Sequence, residues 1–166
     1  MMIIGVDPGS HKTGWGVIEE KGGSLRYVES GVIATSPEEM VSLRLKKIHE
    51  VLAEVVRRCQ PDQAAVEEGF YCKNARSALP LGHARGVALL ALRDGGCGRV
   101  FEYAAKKIKM SVVGIGSADK RQIQHMVRAI LGIRKQFAAE DESDALAAAI
   151  CHAHNKKNAA AVAGEI

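Results

Sequence analysis

Four acids, Glu140, Asp141, Glu142 and Asp144, stand within five positions in the stretch AAEDESDALAAAICHAH, at the head of an alanine-rich run that reads as a helix. Acids there complement the helix macrodipole and cap free N–H groups, so the cluster has an ordinary structural meaning. Asp141 and Asp144 carry a second one. Residues three apart share a helical face, and two converging carboxylates repel unless a cation lies between them. Further acids close two predicted strands: Asp7 ends MIIGVD before Pro8 and Gly9, and Glu67 and Glu68 end DQAAVEE. Adjacent parallel strands would bring these ends side by side, at the carboxyl edge where open α/β sheets hold their ligands. Oxygen donors without a supporting Cys or His set point to a hard cation, Mg²⁺ or Mn²⁺. Strand alternation lets only one of Glu67 and Glu68 share the pocket of Asp7 and does not choose between them. His152, eight residues past Asp144 and so about 12 Å along the helix, is a poor co-ligand and reads as a packing or surface residue.

The elements that must position these acids follow from periodicity and punctuation. After MIIGVD, the run TGWGVIEEKGGSLRYVESGVIA gives two strands around Lys21, Gly22 and Gly23, a hairpin signal, so three sequential antiparallel strands are expected. From about Pro37 to Cys59, Met40, Leu43, Ile48, Val51, Leu52, Val55 and Val56 recur at helical spacing, and Pro61 ends the run. DQAAVEEGF is the next strand, then a helix over 74–93 rich in Ala and Leu, then a turn and strand in GGCGRVFEYA. Helices over 117–131, with Ser117 as N-cap, and over 142–154 complete the order βββ-α-β-α-β-α-α. The fold class is α/β, with a mixed five-stranded sheet of three antiparallel strands and two further parallel strands, flanked by α-helices. One domain is expected over 1–155, with 156–166 a flexible C-terminal tail.

A chain of 166 residues, 47% hydrophobic and 25% charged, is long enough for one well-buried core. No apolar run approaches membrane-spanning length and the opening MMIIGV has no basic leader, so no membrane partner and a cytoplasmic location are expected. The four cysteines form no CxxC pair, which argues against a zinc knuckle or redox motif. Net charge is +4, but between 104 and 135 it is one-sided. Lys106, Lys107, Lys109, Lys120, Arg121, Arg128, Arg134 and Lys135 face Asp119 alone, the footprint of a polyanion partner. GVDPGSHKT is not a phosphate-binding Walker loop, because His11 replaces the glycine before Lys12 and a strand follows. GIGSAD lacks the third glycine of a dinucleotide fingerprint, although a phosphate could rest on the N–H groups before the next helix.

The blocks IIGVDPGSHKTGWGVI, VEEGFYCKNARSALPLGHARGVA, YAAKKIKMSVVGIGSADKRQIQHMV and DESDALAAAICHAH together resemble the RuvC-type crossover junction endodeoxyribonucleases, Holliday junction resolvases of the ribonuclease H-like superfamily. The likeness covers nearly everything before about Asn155. It implies that Asp7, Glu67 (the acid of an E-x-x-F segment with Phe70), Asp141 and Asp144 are catalytic and bind two Mg²⁺ ions per active site, with Mn²⁺ as a substitute. It leaves Glu68 a neighbour, and Glu140 and Glu142 keep the reading of helix-start charges. It also implies DNA-binding roles for Phe70, Tyr71, Lys73, Arg76, Lys109, Lys120 and Arg121, with the two aromatic residues near the junction centre, where a ring can stack on an unpaired base.

By the same resemblance the expected activity is paired symmetric nicking of four-way DNA junctions by two-metal-ion phosphodiester hydrolysis, leaving a 5′ phosphate and a 3′ hydroxyl, in recombination and DNA repair within the SOS response. Two symmetric nicks call for two active sites, hence a homodimer, for which the helix from Asn74 to Arg93 is the interface candidate. The expected partner besides junction DNA is a branch-migration motor complex of the RuvA–RuvB type in the bacterial cytoplasm. The competing readings are a ribonuclease H-like nuclease acting on RNA or hybrid, an actin-like ATPase or sugar kinase, and a junction-binding protein that does no chemistry.

Overall fold

The computed structural model describes residues 1–68, 75–155 and 165–166, with backbone alone for 75–77. Strands β1 (Met2–Asp7), β2 (Lys12–Lys21) and β3 (Ser24–Ala34) come first, then helix α1 (Val41–Cys59), strand β4 (Gln63–Glu67), helix α2 (Ala75–Asp94) and strand β5 (Arg99–Tyr103). Helices α3 (Ala105–Val113), α4 (Lys120–Leu131) and α5 (Glu140–Asn155) follow. The five strands form one sheet in the order β3-β2-β1-β4-β5. β1–β2 and β2–β3 pair antiparallel, and β1–β4 and β4–β5 pair parallel. The expected mixed sheet is therefore present.

Local chemistry explains most of the boundaries. Gly22 and Gly23 take φ of 61° and 87°, the two positive values that a tight hairpin turn demands, and they join β2 to β3 where the sequence signalled it. Three helix starts and one whole helix differ from expectation, α5 opening at Glu140 rather than at 142. The first helix starts at Val41 rather than near Pro37, because Ser36 and Glu39 close on each other in a turn: Glu39 N–H donates to the Ser36 carbonyl, and Ser36 N–H to Glu39 Oε2. The N-cap of α4 is Asp119 rather than Ser117, since Asp119 and Gln122 form a reciprocal capping box. Helix α3 was not foreseen. Its nine residues present only Ile108 and Val112 as a buried pair one turn apart, too little periodicity to stand out in the sequence.

Helices cover both sheet faces. On one, Ile4, Val6, Val17 and Val66 pack with Ile48, Leu52, Ala88 and Leu92 of α1 and α2. On the other, Ile3, Ile18, Ala65, Phe101 and Tyr103 pack with α3, α4 and above all α5. Fully burying Ile3, Ile18, Leu146 and Ile150 contributes about 1.5–3 kcal/mol each. His152 is completely buried in this layer. Tyr103 hydroxyl lies 2.7 Å from its Nδ1 and Gln63 Oε1 lies 2.6 Å from its Nε2, which satisfies a neutral imidazole, and burial pushes its pKa down to about 4. It is a packing residue.

Helix α5 lies closer to the sheet than side chains normally permit. A Cβ on Gly5 would fall inside the Ala145 carbonyl and 2.8 Å from Ala149 N, and one on Gly14 would fall inside the Asp141 carbonyl. On Gly16 it would reach Leu146. Three glycines on one face of β1 and β2 thus let the helix backbone rest on the strands. In β3 the register shifts between Val17 and Ile18, which pair with Glu29 and Tyr27, leaving Val28 as an extra residue in a β-bulge. The bulge puts Tyr27, opposite Ile18, and Ser30, opposite Gly16, on the same α5-facing side although they are three apart. Of the expected tail, 156–164 lie outside the described residues. Glu165 bridges Phe101 and pairs with Arg99.

Gly5→Ala should lower the unfolding free energy by roughly 1–3 kcal/mol or more, as overpacking does. Urea denaturation checks this, and an unchanged midpoint would show that the helix does not depend on the bare strand.

Candidate active site at the carboxyl edge of the sheet

β1 and β4 run parallel with Val6 beside Val66, so the next residues, Asp7 and Glu67, leave neighbouring strands at the same level. Ile3 and Ala65, each an even number of positions back, lie in the α5-side layer, which sets the phase of both strands. The register thus selects Glu67 over Glu68. Glu68 falls to the other side of the alternation, is exposed, and donates its N–H to the Tyr103 carbonyl at 2.9 Å. Asp7 pairs with Gly14 on its other flank, and the Asp141 Cβ is 3.1 Å from where a Gly14 side chain would begin. The bare strand therefore brings the first turn of α5, with Asp141 and Asp144, over Asp7.

The electrostatics record this convergence. Burial pushes the Asp7 carboxyl up to about 8, helped by the charges of Glu67, Asp144 and Asp141 and opposed by Lys120. Burial, followed by the Asp144 charge, pushes Glu67 up to about 7 against the pull of Lys109 and Lys120. Burial also raises Asp144, with Lys120 the main opposing influence. Among the described residues no three His, Cys, Asp or Glu side chains are gathered tightly enough to hold a metal ion as they stand. The four acids act on one another through charge rather than contact. Burial is the main cause of these shifts, and the like charges that add to it would be relieved by a cation; the all-carboxylate donor set fits a hard divalent one.

Lysines border the acids. Lys120 Nζ is 2.6 Å from Glu140 Oε2 and 4.0 Å from Asp144 Oδ2, and Lys109 of α3 acts on both Glu67 and Asp144. Arg121 is exposed next to Lys120 on α4. Phe70, Tyr71 and Lys73, and the side chain of Arg76, lie outside the described residues. The turn after Asp7 is held from behind: the Arg44 guanidinium and the Thr35 hydroxyl both donate to the Ser10 carbonyl. A phosphate resting place at the start of α4 is not supported, because the Asp119 carboxylate already accepts from Gln122 N–H at 2.9 Å.

Glu140 is a helix-start charge as expected, exposed and paired with Lys120. Glu142 also stands in the first turn, as expected, and accepts from Ala138 N–H, but unlike Glu140 it is buried, only 2% exposed. Its signal in the sequence was its helical phase, since it continues the buried stripe of Ala145, Leu146 and Ala149. The general preference of acids for solvent hid it.

Comparison with known proteins agrees with this architecture. The family model described as Crossover junction endodeoxyribonuclease RuvC matches residues 3–152. A crossover junction endodeoxyribonuclease RuvC from Sinorhizobium fredii is 48% identical over 155 residues, covering 93% of this chain and 90% of the relative. One from Klebsiella pneumoniae is 49% identical over 161 residues, covering 97% and 91%. The Thermus thermophilus RuvC structure superposes with a TM-score of 0.85 at 34% identity, covering all of both chains. T. thermophilus RuvC in complex with Holliday junction substrate gives 0.90 at 34% identity, covering 100% of this chain and 99% of that one. With a matching family model along nearly its whole length and relatives near half identity, the chain belongs to the RuvC family of crossover junction endodeoxyribonucleases.

Proposed function

We propose that this nuclease resolves four-way Holliday junctions by paired symmetric nicks, using Asp7, Glu67, Asp141 and Asp144 as its catalytic, metal-holding carboxylates. The observation that carries the reading is the arrival of four acids from β1, β4 and α5 at one sheet edge, in a chain of the RuvC family. The Thermus thermophilus relative bound to Holliday junction substrate supports DNA over the RNA or hybrid alternative. Dependence on divalent metal goes with the family. Two Mg²⁺ ions per site, replaceable by Mn²⁺, would be held by Asp7, Glu67, Asp141 and Asp144 together.

When bound, such ions supply charge neutralisation at the attacking and leaving oxygens of the phosphodiester. The chain's own groups do the rest. The half-buried carboxylates fix the place of reaction, and Lys109 and Lys120, whose charges already act on Glu67, meet the scissile phosphate's charge. The basic stretch 104–135 supplies affinity that weakens as salt rises. Phe70, Tyr71, Lys73, Arg76 and Arg121 are assigned to DNA contact alongside the two lysines.

Two symmetric cuts require two such sites, so a homodimer is part of the proposal. Ala84, Ala88, Ala91 and Leu92 turn the inner side of α2 to the core and leave Leu79 and Leu90 outward, consistent with an interface there. A branch-migration motor complex that hands over the junction, a cytoplasmic location and a single nuclease domain over 1–155 complete it. Among the described residues no helix is long and apolar enough to cross a membrane.

On a mobile synthetic junction with Mg²⁺, paired nicks at symmetric positions leaving 5′ phosphates are expected, with duplex and hybrid left intact; cutting of hybrid instead would overturn the assignment. Asp7→Asn should bind the junction normally and cut at below about one hundredth of the parent rate. Asp7 also gives a stability prediction. Its folded pKa of about 8 lies above the ordinary 3.8, so the stability gained from its protonation is full below pH 3.8 and is lost as pH rises through 8. In metal-free buffer near pH 8, Asp7→Asn should be more stable than the parent by on the order of 2–4 kcal/mol, a difference that closes toward pH 4. Urea denaturation across that range is the check, and a difference independent of pH would refute the electrostatic account.

A further inference from the structure

We infer that Glu142 is a positioning residue that fixes the first turn of α5 and, through it, the Asp141 and Asp144 carboxylates; this rests on the reading of those two acids as metal ligands. Both oxygens of Glu142 are engaged in directions that do not involve the active site. Oε1 accepts from the Ser30 hydroxyl at 2.6 Å, and Oε2 accepts from Ala138 N–H at 2.8 Å. Lys135 Nζ stands 3.5 Å from Oε1. Ser30, whose proton goes to Glu142, takes the Tyr27 hydroxyl as its own donor at 3.0 Å, and Lys135 lies 5.3 Å from the centre of the Tyr27 ring. A chain Tyr27–Ser30–Glu142 therefore ties β3 to the helix.

The attachment acts where it matters. Glu142 lies between Asp141 and Asp144 in the sequence, and its side chain leaves the helix on the sheet side. Gly14 and Gly16 allow α5 to approach β2 but hold nothing themselves, since a glycine offers no side chain to grip. Glu142 supplies the grip. One of its bonds reaches a neighbouring strand and the other secures Ala138, two positions before the helix begins, so the first turn cannot rotate about its axis without breaking one of them. Rotation by a fraction of a turn would swing Asp141 and Asp144 away from Asp7. A buried acid with fully satisfied oxygens, as here, resists that motion through the cost of leaving a charge unpaired.

Glu142→Gln tests this with little change of volume. An amide has one acceptor where the carboxylate has two, so either Ser30 or Ala138 loses its acceptor, and the pairing with Lys135 is gone. The readouts are calorimetric titration with Mn²⁺ in the absence of DNA, junction binding in metal-free buffer, and cleavage against Mg²⁺ concentration, with Asp141→Asn alongside. We expect Glu142→Gln to weaken Mn²⁺ binding and raise the half-saturating Mg²⁺ concentration about tenfold, the usual effect of losing a group that orients a ligand, with junction binding unchanged. Ser30→Ala should shift both metal readouts in the same direction by less. In the double variant the two losses should add to less than their sum, because both break one chain. If Glu142→Gln does not fold, Ser30→Ala alone decides. Parental metal affinity in the folded variants, beside an Asp141→Asn that neither binds Mn²⁺ normally nor cuts, would overturn the inference. An Asp141→Asn with parental Mn²⁺ binding and cleavage would overturn the reading of the site itself.

Discussion

Everything at the functional edge depends on how closely one helix lies against two bare strands. Glycine at positions 5, 14 and 16 removes the side chains that would otherwise hold α5 a full layer away from β1 and β2. That approach lets carboxylates from a helix reach the same place as carboxylates from strand ends. A layer held at the ordinary spacing of helix on sheet would separate Asp141 from Asp7 however the rest of the chain folded. The tolerance is small, because backbone meets backbone and nothing flexible lies between to absorb a change.

The same closeness is electrostatically costly. Asp7 and Glu67 hold protons far more tightly than free carboxylates do, chiefly because burial denies them water and then because they and Asp144 face one another. The large apolar layers on both faces of the sheet offset this cost. Lys109 and Lys120 moderate it, since each is placed on a separate helix and pulls against the rise. Stability thus opposes the gathering of these like charges at one edge, and the rest of the fold bears that cost.

Much of this was legible in the residues. Asp7 and the Asp141–Asp144 pair were marked by a strand end and by helical spacing, and the mixed five-stranded sheet followed from the sequence of elements, whereas the full strand order is read only from the structure. Glu67 was not separable from Glu68 by alternation alone, because the phase of a strand is defined by what covers each face, and that is a property of the assembled layers. The parallel register with β1 supplies it. Asp119 displaced Ser117 because a reciprocal cap with Gln122 satisfies two backbone donors where a lone serine satisfies one. Glu142 was hidden since its partners, Ser30 and Lys135, are distant along the chain or lie beyond the helix. The aromatic and basic residues between Phe70 and Arg76 rest on family resemblance alone.

The bulge at Val28 has a consequence apart from the active site. β3 is an edge strand, and an open edge invites another chain to extend the sheet. An extra residue there interrupts the regular ladder of free backbone groups and increases the local twist, so a flat incoming strand finds no continuous register. At the opposite edge Glu165 occupies part of β5 by bridging Phe101. An open sheet is in this way made a poor template for its own copies, which suits an enzyme whose partner in the cell is a long, highly charged polymer.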